Sequence, residues 1–198
     1  MVFSLITDDR RGQMDSGAEY YKRFLDGDEN AIVDIIREYN DGLIMYLNGV
    51  MNDLNAAEDS AEDTFFKLLT RKPSFSGKSS FKTWLYAIGR NTAIDNLRKR
   101  AKHSYIYTSD MLYEEADEND LESNYLKKEQ KITLHKAVRR LNSDYRQVLY
   151  LTVFEGFSNG EAAKIMHKST RQIENLLYRA KKSLRTELEK EGFEYEII

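Results

Sequence analysis

Ser158-Asn159-Gly160-Glu161-Ala162-Ala163-Lys164-Ile165-Met166, followed after two residues by Ser169-Thr170-Arg171-Gln172-Ile173-Glu174-Asn175-Leu176-Leu177-Tyr178-Arg179, is the stretch on which the fold turns. Ser158 can cap a first helix and Ser169 a second, the latter with Gln172 three residues on as its capping-box partner. Ala162, Ala163 and Ile165 then face Ile173, Leu176, Leu177 and Ala180. Small alanines let the two helices cross closely, which makes the pair a candidate helix-turn-helix. Arg171, Gln172, Asn175, Arg179 and Lys182 are left outward at spacings of three and four residues, a face able to donate to phosphates and base edges in a major groove. The plainer reading of the same residues is a solvated helix in an αα-hairpin.

The rest of the chain is also helical in pattern. One proline, ten glycines and long stretches of three-to-four-residue apolar spacing give little support for a sheet. Ile32, Ile35, Ile36, Tyr39, Leu43 and Leu47 predict a helix over 29–50, with Gly42 a point where it can be interrupted. Further helices are predicted over 56–69, 80–102, 125–141, 143–155, 159–166 and 170–190. Lys72-Pro73-Ser74-Phe75-Ser76-Gly77 breaks the pattern as a loop, because proline removes a donor and glycine relaxes the backbone. Residues 103–123 combine acidic side chains with scattered tyrosines and no sustained period, the mark of a linker.

Of the 198 residues, 41% are hydrophobic and 32% charged, a composition for one or two small cores and too polar for a membrane protein. Val2 to Ile6 is apolar but far shorter than a signal-peptide core, so neither export nor membrane insertion is expected. The absence of cysteine excludes a disulfide framework and a thiolate metal site and fits a reducing compartment, the cytoplasm by default. A net charge of −3 is unpromising for a nucleic-acid binder until its distribution is read. Residues 1–101 hold 14 basic and 16 acidic side chains, residues 102–128 hold 3 and 7, and residues 129–198 hold 13 and 10. The middle is an acidic bridge and the C-terminal part is locally basic.

Two more constellations bear on function. Lys78-Ser79-Ser80-Phe81-Lys82-Thr83-Trp84-Leu85-Tyr86-Ala87-Ile88-Gly89-Arg90-Asn91 mixes aromatics with cations and runs on to Arg98-Lys99-Arg100. Rings can stack on unpaired bases while cations hold the backbone; alternatively Phe81, Trp84 and Leu85 are core and the basic run is a solvated helix end. Glu58, Asp59, Glu62 and Asp63 place two carboxylate pairs at i,i+4, which is mildly unfavourable by itself. An acidic surface for a basic protein partner explains it, and so does a merely solvated face. A di-metal bundle would want Glu-x-x-His on partner helices, and His103, His135 and His167 lack that context. No Walker loop, dinucleotide glycine pattern or nucleophile–base set is present, so neither catalysis nor a cofactor is expected.

Ala57-Glu58-Asp59-Ser60-Ala61-Glu62-Asp63-Thr64-Phe65-Phe66-Lys67-Leu68, then Phe75 to Asn91, then Ala93-Ile94-Asp95-Asn96-Leu97-Arg98, resembles sigma region 2 of extracytoplasmic-function (ECF) sigma factors in order and spacing. Leu141, Arg146-Gln147-Val148-Leu149, the Glu161-Ala162-Ala163 step and Tyr178-Arg179-Ala180 resemble sigma region 4, so the resemblance spans about 20 to 190. It implies an all-α fold of two helical domains joined by a flexible acidic linker: an extension over 1–18, region 2 over 19–102, the linker over 103–124 and region 4 over 125–198. It implies a dissociable subunit of RNA polymerase that recognises promoter DNA, works without enzyme activity of its own, and is commonly held inactive by an anti-sigma factor. Glu58, Asp59, Glu62, Asp63 and Phe66 would dock on core polymerase. Phe75, Lys78, Ser79, Ser80, Phe81, Lys82, Arg90, Asn91, Asp95 and Arg98 would engage the minus-ten element. Ser169, Thr170, Arg171, Gln172, Glu174, Asn175, Arg179 and Lys182 would engage the minus-thirty-five element. Departures from the family pattern are Glu62 for a frequent glutamine, His167 for a frequent glycine turn, and Glu174 and Leu176 where basic residues are frequent. The rival readings are a stand-alone helix-turn-helix regulator and, more distantly, a carboxylate-metal enzyme.

Overall fold

The computed structural model describes residues 16–104 and 133–190, and among these every regular element is helical. The first domain is built from α1 (Gly17–Leu25), α2 (Ala31–Met51), α3 (Leu54–Arg71) and α4 (Phe81–Ser104). The second holds α5, described over 133–139, α6 (Ser143–Leu149) running into a π-helical turn (Tyr150–Phe154), α7 (Asn159–Met166) and α8 (Thr170–Lys190). The acidic linker expected over 103–124 and the start of the helix expected over 125–141 lie outside the described residues, apart from the last turn of α4.

The apolar periodicity of α2 buries Ile32, Ile35, Tyr39, Leu43 and Leu47. Two expectations for it are corrected. Gly42 does not interrupt the helix, which runs unbroken to Met51 because both its flanks pack in the core. Ile36 is 37% exposed, since the stripe rotates past it toward Tyr46 and Val50. Asp53 caps α3 by accepting from the Ala56 amide at 3.0 Å, so this helix begins two residues earlier than its apolar pattern suggests. The α1 helix escaped sequence reading: two turns burying only Gly17, Tyr21 and Phe24 are too short for periodicity to register.

Aromatic rings bind the first domain at its loop end. Tyr21 lies 5.5 Å from Phe81 and 5.3 Å from Trp84, and Phe75 meets the same two rings at 5.7 and 5.2 Å. The Tyr21 hydroxyl donates to the Pro73 carbonyl at 2.7 Å, tying the 72–80 loop to α1, and burial pushes that phenol up to about 12. In the second domain Ala162, Ala163 and Ile165 of α7 and Ile173 and Ala180 of α8 are buried, as the alanine pattern anticipated. Arg146 on α6 points inward and donates to the carbonyls of Arg139 and Leu141, satisfying groups that the end of α5 leaves without intrahelical partners. Burial holds its guanidinium below its usual range.

Candidate nucleic-acid interface

The helix-turn-helix forms through two reciprocal caps. The Ser158 hydroxyl accepts from the Glu161 amide at 3.3 Å while the Glu161 carboxylate accepts from the Ser158 amide at 2.9 Å. Ser169 and Gln172 repeat the exchange at the start of α8, at 3.2 and 2.7 Å. His167 makes the turn in the left-handed region at φ 53°, a conformation that histidine adopts more readily than most residues other than glycine. Opposite the buried Ile173, Ala180 and Leu184, the side chains of Arg171, Gln172, Asn175, Arg179 and Lys182 are all exposed, as are Ser169, Thr170 and Glu174. Glu174 lies one turn before Tyr178 at the edge of the same side. Sequence reading missed Tyr178, which is 73% exposed and continues the row of Arg171, Asn175 and Lys182 at i,i+4,i+7,i+11. Its exposure on that row was readable from helical spacing alone.

On α3, Glu58, Asp59, Glu62 and Asp63 are exposed together, and Phe66 beside them is 63% exposed. Such a ring on the surface, with Leu69 also exposed, is the unusual feature of this face. The inner edge of the cluster is braced by α4: Arg100 bridges Asp53 at 3.0 Å and reaches Asp59 at 3.5 Å, and Asn96 donates to Asp63 at 3.0 Å. Among the described residues no group of three or more histidines or carboxylates is placed to hold a metal ion.

The residues expected at the minus-ten element divide. Phe75 is partly buried and Lys78 exposed in the loop, and Asp95 pairs with Arg98 at 3.3 Å on the open surface of α4. Ser79 stays in the loop, its hydroxyl donating to the Ser80 carbonyl at 3.2 Å. Phe81 is a correction to the expected contact set: its ring is fully buried against Tyr21, Tyr39 and Trp84, so it supports the loop from beneath and has no surface with which to stack on a base. Trp84 is only partly buried, between the two readings offered for it.

Four of the remaining groups face the second domain. The Lys82 ammonium pairs with the Glu155 carboxylate at 2.9 Å, donates to its backbone carbonyl at 3.1 Å, and lies 4.8 Å above the Phe157 ring. The Ser80 hydroxyl donates to Glu161 at 3.3 Å, joined by Thr83 at 3.2 Å. Arg90 donates to Gln147 at 2.9 Å, and Asn91 meets His167 at 3.2 Å. Glu161 thus gives one oxygen to its own helix cap and the other to α4. Burial works to raise its carboxyl, but the hydrogen bonds from Ser158, Thr83 and Ser80 outweigh that and hold it below the usual carboxylate range. The capping-box spacing could have located Glu161 at a helix start, but nothing in the sequence pairs it with Ser80.

Residues 35–103 match the family described as Sigma-70 region 2, and residues 131–184 the family described as Sigma-70, region 4. The chain is similar to RNA polymerase sigma factor YlaC of Bacillus subtilis (strain 168), 32% identical over 162 residues that cover 81% of this chain and 94% of that one. It is 29% identical over 160 residues to ECF RNA polymerase sigma factor SigX of the same organism, covering 76% and 80%. Among solved structures it is similar to the sigma factor RpoE in complex with the anti-sigma factor NepR from Bartonella quintana, with a TM-score of 0.59, 25% identity and coverage of 79% of this chain and 97% of that one.

Proposed function

The chain belongs to the ECF sigma factors of RNA polymerase, and from that premise we propose how its three faces divide the work of promoter-specific transcription initiation. The acidic face of α3, with Glu58, Glu62 and Phe66 outermost, docks on a basic surface of core polymerase. Phe75, Lys78, Ser79 and Ser80 in the loop, with Lys82, Arg90, Asn91, Asp95 and Arg98 on α4, hold the opened minus-ten strand. The α8 face reads the minus-thirty-five duplex, with Arg171 and Gln172 at base edges, Arg179 and Lys182 on phosphates, and Tyr178 donating its hydroxyl to a phosphate. The role is one of recognition and strand opening, without catalysis or a cofactor, and is exercised in the cytoplasm. An anti-sigma protein is the expected inhibitory partner; the similar RpoE is in complex with the anti-sigma factor NepR.

The observation that carries this reading is the exposed Phe66 beside four carboxylates, on the same chain as an intact helix-turn-helix. A regulator that bound duplex DNA alone would have no use for that aromatic and acidic face. Apolar anchors ringed by charge are what a specific protein interface supplies. Run-off transcription with purified core polymerase on a library of promoter fragments is the test. Transcripts that require the chain are expected. Sequence-specific duplex binding with no transcript and no affinity for core would favour the stand-alone regulator instead.

A further inference from the structure

We propose that Glu174 is a specificity-determining residue of α8: its carboxylate accepts a hydrogen bond from the amino group of a cytosine in the minus-thirty-five element and so requires that base at one position. The inference rests on the assignment of the α8 face to that duplex made above. The three acidic side chains of α8 are not alike. Glu187 pairs with Lys190 at 2.6 Å and lies 3.9 Å from Arg140, and Glu189 pairs with Arg185 at 2.9 Å. Glu174 is exposed and has no hydrogen bond or ion pair among the described residues, although Arg171 stands three positions before it. Nor does the helix itself offset its charge. Glu174 is the fifth residue of α8, beyond the first turn in which the helix dipole favours an anion.

Helical spacing sets this carboxylate within about 60° of Arg171 and about 40° of Tyr178 around the axis of α8, in the N-terminal half that a recognition helix presents to base edges. B-DNA carries one negative charge per about 1.7 Å of its axis, so an uncompensated carboxylate here opposes binding to any duplex unless a base supplies a donor to it. The other exposed side chains of the first two turns are weighted toward donors. Arg171 has donors only, Thr170 and Asn175 can do either, and Gln172 has its carbonyl oxygen engaged by the Ser169 amide at 2.7 Å, which leaves its amino group. Donors of this kind select the acceptor atoms of guanine and adenine. Glu174 is the acceptor-only member, and in the major groove donors come only from the amino groups of cytosine and adenine. Adenine sets its N7 acceptor beside that amino group, where it repels the second carboxylate oxygen, and cytosine does not. The order of preference is therefore cytosine, then adenine, with guanine and thymine rejected.

The test is binding of the full chain with core polymerase to a duplex library randomised over the minus-thirty-five element. The parent should require cytosine at one position. Glu174→Ala should lower affinity for the cytosine site about tenfold, the loss of one good base contact, and raise affinity for sites without it, because its repulsion from the duplex goes too. Glu174→Gln, whose amide both donates and accepts, should admit adenine at that position. A parent complex on a site carrying N4-methylcytosine, which keeps its base pair and lacks the groove-facing proton, should be as weak as one on thymine. Glu174 bonds to nothing else among the described residues, so thermal unfolding should be the same in all three proteins. No cytosine requirement in the parent, or a Glu174→Ala chain that gains affinity equally at every site, would overturn the proposal. The α8 assignment is read separately in Arg171→Ala and Lys182→Ala. If neither changes binding, α8 is not the reading helix; if they act and Glu174→Ala keeps the cytosine requirement, only the role of Glu174 falls.

Discussion

On α8, Arg171, Gln172, Asn175, Arg179 and Lys182 stand exposed along one side of a helix, whereas on α4 the cations Lys82 and Arg90 are held by Glu155 and Gln147 of the neighbouring domain. The two faces carry similar residue types, and nothing in their composition distinguishes an open one from a covered one. What separates them is which side of each helix the other domain needs. The α8 helix packs its apolar side on α6 and α7 and leaves Arg171, Asn175 and Lys182 exposed, while α4 has apolar contacts with α2 and α3 on one side and polar contacts with α7 on another. Availability for DNA is therefore a property of packing and not of the residues that would bind it.

The largest effect is expected at the ring beneath the loop. Phe81→Ala removes a buried ring from beneath the 72–80 loop and should cost about 3–5 kcal/mol of stability, read by thermal or denaturant unfolding. A loss confined to DNA binding, with unfolding unchanged, would return Phe81 to the contact set. Phe66→Ala should do the opposite, leaving stability within about 0.5 kcal/mol while weakening core polymerase binding by about 2 kcal/mol, as truncation of an interface anchor does.

On the open face, Arg171→Ala should relax preference at one minus-thirty-five position by about 1–3 kcal/mol. Lys182→Ala should weaken binding evenly across sequences and flatten its salt dependence, both read by holoenzyme binding to a site library at several salt concentrations. Gln172 has the double duty that its spacing announced: its carbonyl oxygen caps α8 through the Ser169 amide, leaving only its amide donors for a base. Gln172→Ala should therefore also cost about 1 kcal/mol of stability, which Gln172→Glu should largely restore. If Gln172→Ala alters preference with no change in unfolding, the cap is not important to α8.

The smallest effect expected is at Glu161. Its folded-state carboxyl lies below the ordinary range, so its contribution to stability is fully present above about pH 4.3, the unperturbed value, and is lost as pH falls through the depressed value. The difference in melting temperature between parent and Glu161→Gln should shrink from pH 6 toward pH 3. A constant difference would mean that the carboxylate's charge plays no part in holding α7 to α4.

Much of the molecule was decided by the chain's local chemistry. Helical spacing placed α2, α3, α4, α7 and α8, the serine caps located both starts of the helix-turn-helix, and the alternation of Arg171, Asn175 and Lys182 with Ile173 and Ala180 gave the α8 face its orientation. These are contacts within four residues or across one short turn, where sequence separation and spatial separation agree. The acidic row on α3 was legible for the same reason. Tertiary structure alone decided the rest. It buried Phe81 while leaving Phe66 outside, although both are phenylalanines followed by a lysine. It ran α2 straight through Gly42, and it brought Glu155 and Glu161 onto residues more than seventy positions earlier. A hydrogen bond between Ser80 and Glu161 depends on two helices meeting at one angle and one height, and no periodicity in either segment encodes the other's position.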